Sequence, residues 1–249
     1  MPDIRQPSVP TYAVCSVPIA AVDAATAAAR IVSDAVARVP CEVHLCNAFT
    51  LSLVDDDEQM RTALLAADLN LADGTPVAYL GRRHGLGRPV RGTELVGEVA
   101  RQGGADVRHY LYGGKEGVAD LMAAELARVV PAATVVGTEC PPFRPLTDDD
   151  LSGLVERVRA SGAGVLWIGL GTPRQDYLVH LLAPQLSIPV VPVGAAFDFW
   201  SGAIKEAPRM LQGTGLEWVY RLAKEPRRLW RRYLLGNPRF VLSAWRHRR

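Results

Sequence analysis

The 249-residue sequence lacks a hydrophobic run long enough to cross a membrane. A spanning helix needs about 18 or more apolar residues in a row, whereas the alanine-rich stretch at 20–29 is interrupted by Asp23 and ends at Arg30. The same stretch lacks the basic segment and clean apolar block of a secretory signal peptide. With 49% apolar and 22% charged residues, the composition is that of a globular protein with a sizeable core. We therefore expect a cytoplasmic protein.

Cysteine is scarce, and several well-known motifs are missing. Cys15, Cys41, Cys46 and Cys140 lack the paired spacing of a zinc site or a disulfide framework, so free thiols are expected in a reducing cytosol. The sequence contains no G-x-G-x-x-G dinucleotide fingerprint, no G-x-x-x-x-G-K-[ST] phosphate loop and no G-x-S-x-G nucleophile elbow. These absences disfavour a nicotinamide-dependent oxidoreductase and a P-loop NTPase.

Two acidic runs, at 55–57 and 148–150, could suggest a divalent metal site of the D-x-D kind. Both runs precede predicted helices, where carboxylates cap the free N–H groups and interact favourably with the helix dipole. The five histidines form no H-x-x-x-H pair, and His44 is expected to pack within its strand. We therefore predict no metal site and no cofactor.

Short apolar strands alternate with helical segments along most of the chain. Strands are predicted at 12–17, 42–46, 108–112, 134–137, 164–168 and 189–193, and helices at 20–39, 51–67, 93–102, 118–129, 148–160 and 174–182. Such alternation is typical of βαβ units and a parallel sheet. The sequence therefore predicts an α/β fold, with a Rossmann-like parallel-sheet domain over residues 1–205.

Residues 206–249 are predicted to form a basic helical appendage. From position 205 onward the chain carries 12 Lys+Arg against 3 Asp+Glu, a net charge of +9, whereas residues 1–204 carry −7. Helices are predicted at 216–223 and 227–235, with Pro226 opening the second. One side of these helices holds Trp218, Leu222, Leu229 and Tyr233. A basic amphipathic segment fits a membrane surface, a nucleic acid or a phosphorylated substrate, and the missing recognition motif disfavours nucleic acid.

Glycine marks three junctions between a predicted strand and the segment after it: Gly113-Gly114, Gly169-Leu170-Gly171 and Gly194. Glycine allows the backbone to approach a ligand closely, and a following helix offers free N–H groups to phosphate. In an open parallel sheet, ligands bind at the carboxyl ends of the strands. Three such junctions favour a nucleotide-type ligand.

Asp73 lies in the segment Leu71-Ala72-Asp73-Gly74 and has two interpretations. It is either part of an Asp-Gly turn or a carboxylate at the mouth of the sheet that acts as a general base. Asn47 follows the strand predicted at 42–46 and would share that mouth. The local pattern leaves both interpretations open.

Nine short motifs follow one another along the chain. They are Asn47-Ala48, Leu71-Ala72-Asp73-Gly74, Arg91-Gly92-Thr93-Glu94-Leu95, Tyr112-Gly113-Gly114-Lys115, the segment 169–175 (GLGTPRQ), the segment 194–199 (GAAFDF), the segment 215–221 (GLEWVYR), the segment 225–233 (EPRRLWRRY) and the segment 236–240 (GNPRF). In this order they resemble the WecG/TagA/CpsF family, glycosyltransferase family 26. The resemblance covers nearly the whole chain after the first strand.

The resemblance implies an inverting, metal-independent glycosyltransferase. Its donor would be a UDP-sugar, for example one carrying an N-acetylhexosamine such as N-acetylmannosamine. Its acceptor would be a polyprenyl-diphosphate-linked sugar in cell-surface polysaccharide synthesis, and the alternative is a soluble natural-product acceptor. The protein would lie at the inner face of the plasma membrane, held peripherally through its C-terminal segment. A homo-oligomer is compatible with these expectations, and a nucleic-acid partner is not expected.

The resemblance also implies roles for individual residues. Asp73 would deprotonate the acceptor hydroxyl, and Asn47, Arg91 and Gln175 would line the reaction centre. The nucleotide-sugar would be bound by Gly113, Gly114, Gly169, Gly171, Pro173, Arg174, Gly194, Phe197 and Asp198, the last of them near the uracil. Arg221, Arg228 and Arg231 of the appendage would close over the diphosphate. A guanidinium is suited to this task because the leaving UDP develops negative charge that a cation must stabilise.

Overall fold

The computed structural model describes residues 9–205, 208, 217–224, 226–234 and 236–247, and their strands form one eight-stranded sheet. The strands are β1 (Thr11–Val14), β2 (Val17–Ala20), β3 (Cys41–Cys46), β4 (Leu69–Ala72), β5 (Arg108–Gly113), β6 (Thr134–Glu139), β7 (Val165–Gly169) and β8 (Pro189–Pro192). Their order in the sheet is β1-β2-β4-β3-β8-β7-β5-β6. β1 runs antiparallel to β2, and every other neighbouring pair is parallel. The predicted α/β fold with a parallel sheet is confirmed.

Helices connect the strands and cover both faces of the sheet. They are α1 (Ala24–Ala37), α2 (Ala48–Ser52), α3 (Glu58–Ala66), α4 (Thr75–Leu80), α5 (Gly92–Gly103), α6 (Val118–Val129), α7 (Asp148–Ser161), α8 (Arg174–Leu182), α9 (Ala196–Trp200), α10 (Glu217–Lys224), α11 (Pro226–Leu234) and α12 (Gly236–Arg246). α1, α5, α6 and α9 pack together on one face, while α7 and α8 line the other and α3 packs against α8. Because both faces are covered, the central strands read as continuous apolar runs.

The beginning of the chain differs from the prediction of one strand at 12–17. β1 and β2 instead form a hairpin whose turn consists of Cys15 and Ser16, both with positive φ, 51° and 65°. Positive φ is uncommon outside glycine, so the sequence carries no ordinary turn signal at this point. The single-strand prediction is wrong for that reason.

Two further differences concern the region before Asp73. The helix predicted at 51–67 is two helices, α2 and α3, because Asp57 accepts a hydrogen bond from Met60 N and starts a new helix. No strand is predicted from the sequence at 69–72, but this segment is the buried strand β4. Its polar residue, Asn70, donates from Nδ2 to Pro18 O and Leu64 O, which satisfies the amide inside the sheet.

The described part of the appendage contains the two predicted helices and one more. α10 and α11 match the predictions at 216–223 and 227–235 to within one or two residues, and the rings of Trp218 and Tyr233 lie 5.6 Å apart. The additional helix, α12, packs against α2, and its Phe240 is buried in the core cluster that includes β1 and β2. A boundary between residues 205 and 206 stays a prediction, but α12 shares its core with the first domain.

No helix in the described part of the chain is long and apolar enough to cross a membrane. The basic residues Arg221, Arg228 and Arg231 lie on α10 and α11, but their side chains fall outside what the structure describes.

Candidate active site

The carboxyl ends of five parallel strands, β4, β3, β8, β7 and β5, lie side by side along one edge of the sheet. From β5 the chain crosses outward to β6, whereas from β7 it crosses in the opposite direction to β8. Neighbouring strands whose connections leave in opposite directions create a crevice, which is the usual ligand site of an open α/β sheet. That crevice lies between Gly113 and Gly169, which are register partners.

Two glycines of this crevice are required by the packing of the protein itself. A Cβ on Gly113 would come within 2.5 Å of Gly169 Cα, and a Cβ on Gly169 would come within 2.4 Å of the Phe197 ring. The ring of Phe197 is only 1% exposed. Phe197 therefore supports the glycine turns from inside the core, and a contact between its side chain and the donor stays a prediction.

Gly171 and its neighbours form the open side of the crevice. Gly171 has φ +75°, and among the described residues no atom lies within 4 Å of the position that a Cβ would take. Pro173 follows in a cis peptide bond, and Arg174 is exposed at the first position of α8. This backbone is therefore open to a ligand bound in the crevice.

Asn47 and Asp73 meet at the ends of neighbouring strands. Asn47 caps α2, because its Oδ1 accepts hydrogen bonds from Phe49 N at 3.0 Å and Thr50 N at 3.2 Å. The remaining group of this amide, Nδ2, donates to Asp73 Oδ2 at 3.2 Å. The helix cap therefore fixes which group of Asn47 faces the carboxylate. An isolated Asp-Gly turn would not require this arrangement.

Arg91 lies between the ends of β4 and β8. Val90 N donates to the carbonyl oxygen of Ala72, the residue before Asp73, at 2.7 Å. On the other side, a Cβ on Gly92 would lie 2.9 Å from Val193 O. These two contacts place the backbone of Arg91 next to Asp73 and next to the turn at Gly194.

Gln175 occupies the space between the turns after β7 and β8. Its side chain is 5% exposed, and its Oε1 accepts a hydrogen bond from Gly171 N at 2.9 Å. A Cβ on Gly194 would lie 3.1 Å from the same oxygen. Asp198 is half-buried in the short helix α9 that follows Gly194. The predicted reaction-centre and donor residues thus lie along one edge of the sheet.

The electrostatics beneath this edge are dominated by buried acids. Burial, together with the negative charges of Asp176 and Asp73, raises the pKa of the Cys46 thiol well above its usual value. Cys46 is fully buried and donates to Asn70 Oδ1 at 3.5 Å. It therefore stays a neutral thiol and is not a nucleophile at physiological pH.

Residues of the two acidic runs, 55–57 and 148–150, have structural roles. Asp57 caps α3, Asp150 forms a capping box with Thr147 at the start of α7, and Asp55 lies 3.0 Å from His247 Nε2. Within the described ranges, no group of three His, Cys, Asp or Glu side chains is placed to hold a metal ion. Independence from metal stays a prediction.

Two features near the site have no clear signal in the sequence. The first is a buried cluster in which His44 of β3 contacts Glu42 and Asp176, rather than packing only among apolar neighbours. The acid of α8 is separated from His44 by 132 positions. The second is the contact of α12 with α2, the helix that Asn47 caps. Only the alternation of Glu42 and His44 in an apolar strand could have indicated the cluster.

These features define a Rossmann-like α/β protein whose sheet has a crevice at the carboxyl ends of its strands, the usual ligand site of such folds. The sequence matches the Glycosyl transferase WecG/TagA/CpsF family over residues 12–249, and the chain belongs to this family. The protein is therefore a transferase of a family that acts in cell-surface polysaccharide synthesis. The resemblance noted from the motifs is confirmed.

Proposed function

We propose that the protein is an inverting, metal-independent glycosyltransferase that moves a sugar from a UDP-sugar to an acceptor hydroxyl. The observation that carries the proposal is the Asn47–Asp73 pair at the carboxyl edge of the sheet, with Arg91 beside it. A carboxylate that is held by a neighbouring amide and lies at a ligand-binding edge is well suited to act as a general base.

The reaction consists of one displacement. Asp73 accepts the proton of the acceptor hydroxyl while the hydroxyl oxygen attacks the anomeric carbon of the donor. The new C–O bond forms on the face opposite to the leaving group, and the bond between the anomeric carbon and the phosphate oxygen breaks. UDP leaves with the bonding electron pair, so a single attack inverts the anomeric configuration.

The donor lies over the crevice formed by β8, β7 and β5. The open backbone at Gly171, just before α8, leaves room for the diphosphate. Asp198, on the neighbouring short helix, is the acceptor for the uracil N–H. Gln175 lies between this half of the edge and the half that holds Asp73. In the proposed complex the anomeric carbon lies beside Gln175, between the two halves.

Arginines stabilise the charge that develops on UDP. Arg91 contributes from the edge of the sheet, and Arg221, Arg228 and Arg231 contribute from the appendage. Two contacts of described residues support this role: Arg232 of α11 lies over the Phe49 ring at 5.2 Å, and a Cβ on Gly236 would lie 3.0 Å from the same ring. Phe49 is two residues after Asn47, so the appendage reaches the edge that holds Asp73.

The acceptor is a lipid-linked sugar at an anionic membrane surface. α12 exposes Val241 (64%), Leu242 (46%) and Trp245 (68%), and with Pro238 they have the i, i+3, i+4, i+7 spacing of one helix face. Arg239 and Arg246 are exposed and lie at the border of this face. An apolar stripe with tryptophan and flanking arginines is typical of helices that lie on a membrane. A soluble acceptor would leave this stripe without a function.

A transfer assay in EDTA tests the proposal. The wild-type protein is incubated with a panel of UDP-sugars and two versions of one acceptor, a short water-soluble diphosphate sugar and a long polyprenyl form in anionic vesicles. We expect release of UDP and an inverted product with one donor, and faster transfer to the vesicle-bound acceptor. Activity that appears only after magnesium or manganese is added would overturn the metal-independent mechanism. Equal rates on both acceptors would favour the soluble one.

A further inference from the structure

A buried histidine lies between two carboxylates beneath the donor half of the site. His44, on β3, is fully buried, and its Nδ1 lies 3.1 Å from Asp176 Oδ1 while its Nε2 lies 3.0 Å from Glu42 Oε1. Asp176 is also fully buried. A neutral imidazole has one N–H donor, whereas hydrogen bonds from both ring nitrogens to carboxylate oxygens require two. The geometry therefore fits an imidazolium.

The surrounding charges agree with this protonation state. Burial lowers the pKa of His44, but the hydrogen bonds and negative charges of Asp176 and Glu42 outweigh burial and raise it above its ordinary value. The other titratable groups near the cluster include His180 of α8, whose Nδ1 lies 3.0 Å from Glu42 Oε1, and Asp68, whose Oδ2 accepts from Glu42 N at 2.8 Å. Tyr177 and the neutral thiol of Cys46 both interact with the charge of Asp176. The register partner of His44 on β4 is the uncharged Asn70.

The histidine connects the sheet to the first turn of α8. Asp176 follows Gln175 in that turn, and Gln175 Oε1 accepts the Gly171 N–H at 2.9 Å. Asp176 Oδ2 has no hydrogen-bond partner within the described part of the chain. The contact through Oδ1 to His44 is therefore the polar link that holds this carboxylate in the interior.

We infer that His44 is a positioning residue: as an imidazolium it holds Asp176 and the first turn of α8, and thereby fixes Gln175 and the Gly171 turn where the donor binds. The expected effect of His44 on catalysis rests on the proposed function. The charge of His44 and its effect on the Gly171 turn are independent of that function, because both can be measured without a substrate.

The first test is NMR of the wild-type protein labelled with ¹⁵N-histidine. An unperturbed histidine has a pKa of about 6.5 and is mostly neutral at pH 7.5. We expect both ring nitrogens of His44 to carry protons at that pH. A single neutral tautomer of His44 at pH 7.5 would overturn the inference.

The second test compares D176N with H180N as a matched control. In D176N, the charges of His44 and Glu42 still balance, so the core should tolerate the change. In H180N, the contact with Glu42 is lost while the link between His44 and Asp176 remains. We expect D176N to accelerate hydrogen exchange at the Gly171 amide by up to about tenfold, because the Asn oxygen can still accept from His44 Nδ1 but the negative charge that strengthens this hydrogen bond and restrains the turn is lost.

The same pair of variants separates positioning from a general loss of stability. For D176N we expect the donor KM to rise by about tenfold while kcat changes by less than about threefold, as for a lost binding contribution. For H180N we expect wild-type values of exchange and KM. If D176N has the wild-type rate of hydrogen exchange at Gly171 and the wild-type KM for the donor, the inference is wrong. Faster Gly171 exchange in D176N, combined with no transfer by the wild type, would support the inference and refute the proposed function.

Discussion

Asn47 and Asp73 stand at the ends of adjacent strands, and the amide of Asn47 donates one hydrogen bond to the carboxylate while it caps a helix with its oxygen. The amide cannot turn over without losing the cap. The carboxylate of Asp73 is therefore held at the ligand-binding edge by a group whose orientation is set by α2.

Replacing Asp73 by Asn should nearly abolish sugar transfer and leave UDP binding within a few fold. The new amide can still accept the hydrogen bond from Asn47, but it cannot take a proton at neutral pH. General base catalysis contributes about 10² to 10⁴ in rate, so kcat should fall by that factor. The measurements are steady-state kinetics and calorimetry with UDP. A rate within about threefold of wild type, against the larger factor expected for a base, would make Asp73 a turn residue.

Replacing Asn47 by Asp should shift the pH dependence of kcat/KM for sugar transfer and change the stability of the fold only modestly. Asp is as good a helix cap as Asn, so the free energy of unfolding at neutral pH should fall by only about 1–2 kcal/mol, the cost of placing two carboxylates together. The new carboxylate faces Asp73, and a like charge raises the pKa of a neighbouring acid. The acidic limb of the kcat/KM profile should therefore move to higher pH by about one unit. An unchanged profile would show that Asp73 does not titrate in this limb.

The buried His109 should make the fold sensitive to acid. Trp167 Nε1 donates to His109 Nδ1 at 3.0 Å, so this nitrogen must be unprotonated, and burial lowers the pKa of His109 to about 4. The unfolded chain binds this proton near pH 6.5, so stability is fully present above pH 6.5 and falls progressively as the pH drops toward 4. The loss should amount to about 2–3 kcal/mol.

His109→Gln provides the comparison for this prediction. A glutamine oxygen can accept from Trp167 but does not titrate. The free energy of unfolding is measured in urea at several pH values for both proteins. The wild type should lose more stability than the variant between pH 6.5 and 4, and parallel curves would exclude His109 as the source of acid sensitivity.

The exposed face of α12 should be needed for transfer at a membrane but not for folding. Changing Val241 and Trp245 to Ser together removes apolar surface that the core does not use. Binding to anionic vesicles should fall by about tenfold or more, because a buried large apolar side chain contributes about 1.5–3 kcal/mol. Sedimentation with vesicles and thermal unfolding measure the two effects.

A matched control for α12 is available on α6. Leu121 is also a large exposed apolar residue, at 56%, but it lies on a helix that packs against α9, β5 and β6. Leu121→Ser should leave vesicle binding and transfer unchanged. If the double variant of α12 also binds vesicles as the wild type does, the membrane contact must be made elsewhere.

The sequence predicted the central part of the fold because β5, β7 and β8 are buried on both faces and read as short apolar runs. One of the two interpretations of Asp73 put it at the mouth of the sheet with Asn47, and the structure brings these two side chains together there. β4 escaped prediction because it has only four residues and a polar one among them. Nothing in its own pattern shows that the amide of Asn70 is satisfied by the backbone of two distant segments.

The missed features of the site depend on partners far away in sequence. The charge of His44 follows from Asp176, which is 132 positions away. The turn at Cys15 and Ser16 has no glycine and is stabilised by tertiary packing. Local propensity and periodicity describe a residue and its near neighbours, so they could not supply these contacts.

The ring of His247 lies between the first hairpin and the α2–α3 connection, with Nδ1 2.9 Å from Ser16 Oγ and Nε2 3.0 Å from Asp55 Oδ1. Ser16 and His247 are separated by 231 positions. A ribosome delivers the hairpin early and α12 late, and segments begin to fold as they emerge. The apolar surface that Phe240 covers therefore stays exposed until α12 has been synthesised, and exposed apolar surface of this kind favours aggregation of the nascent chain.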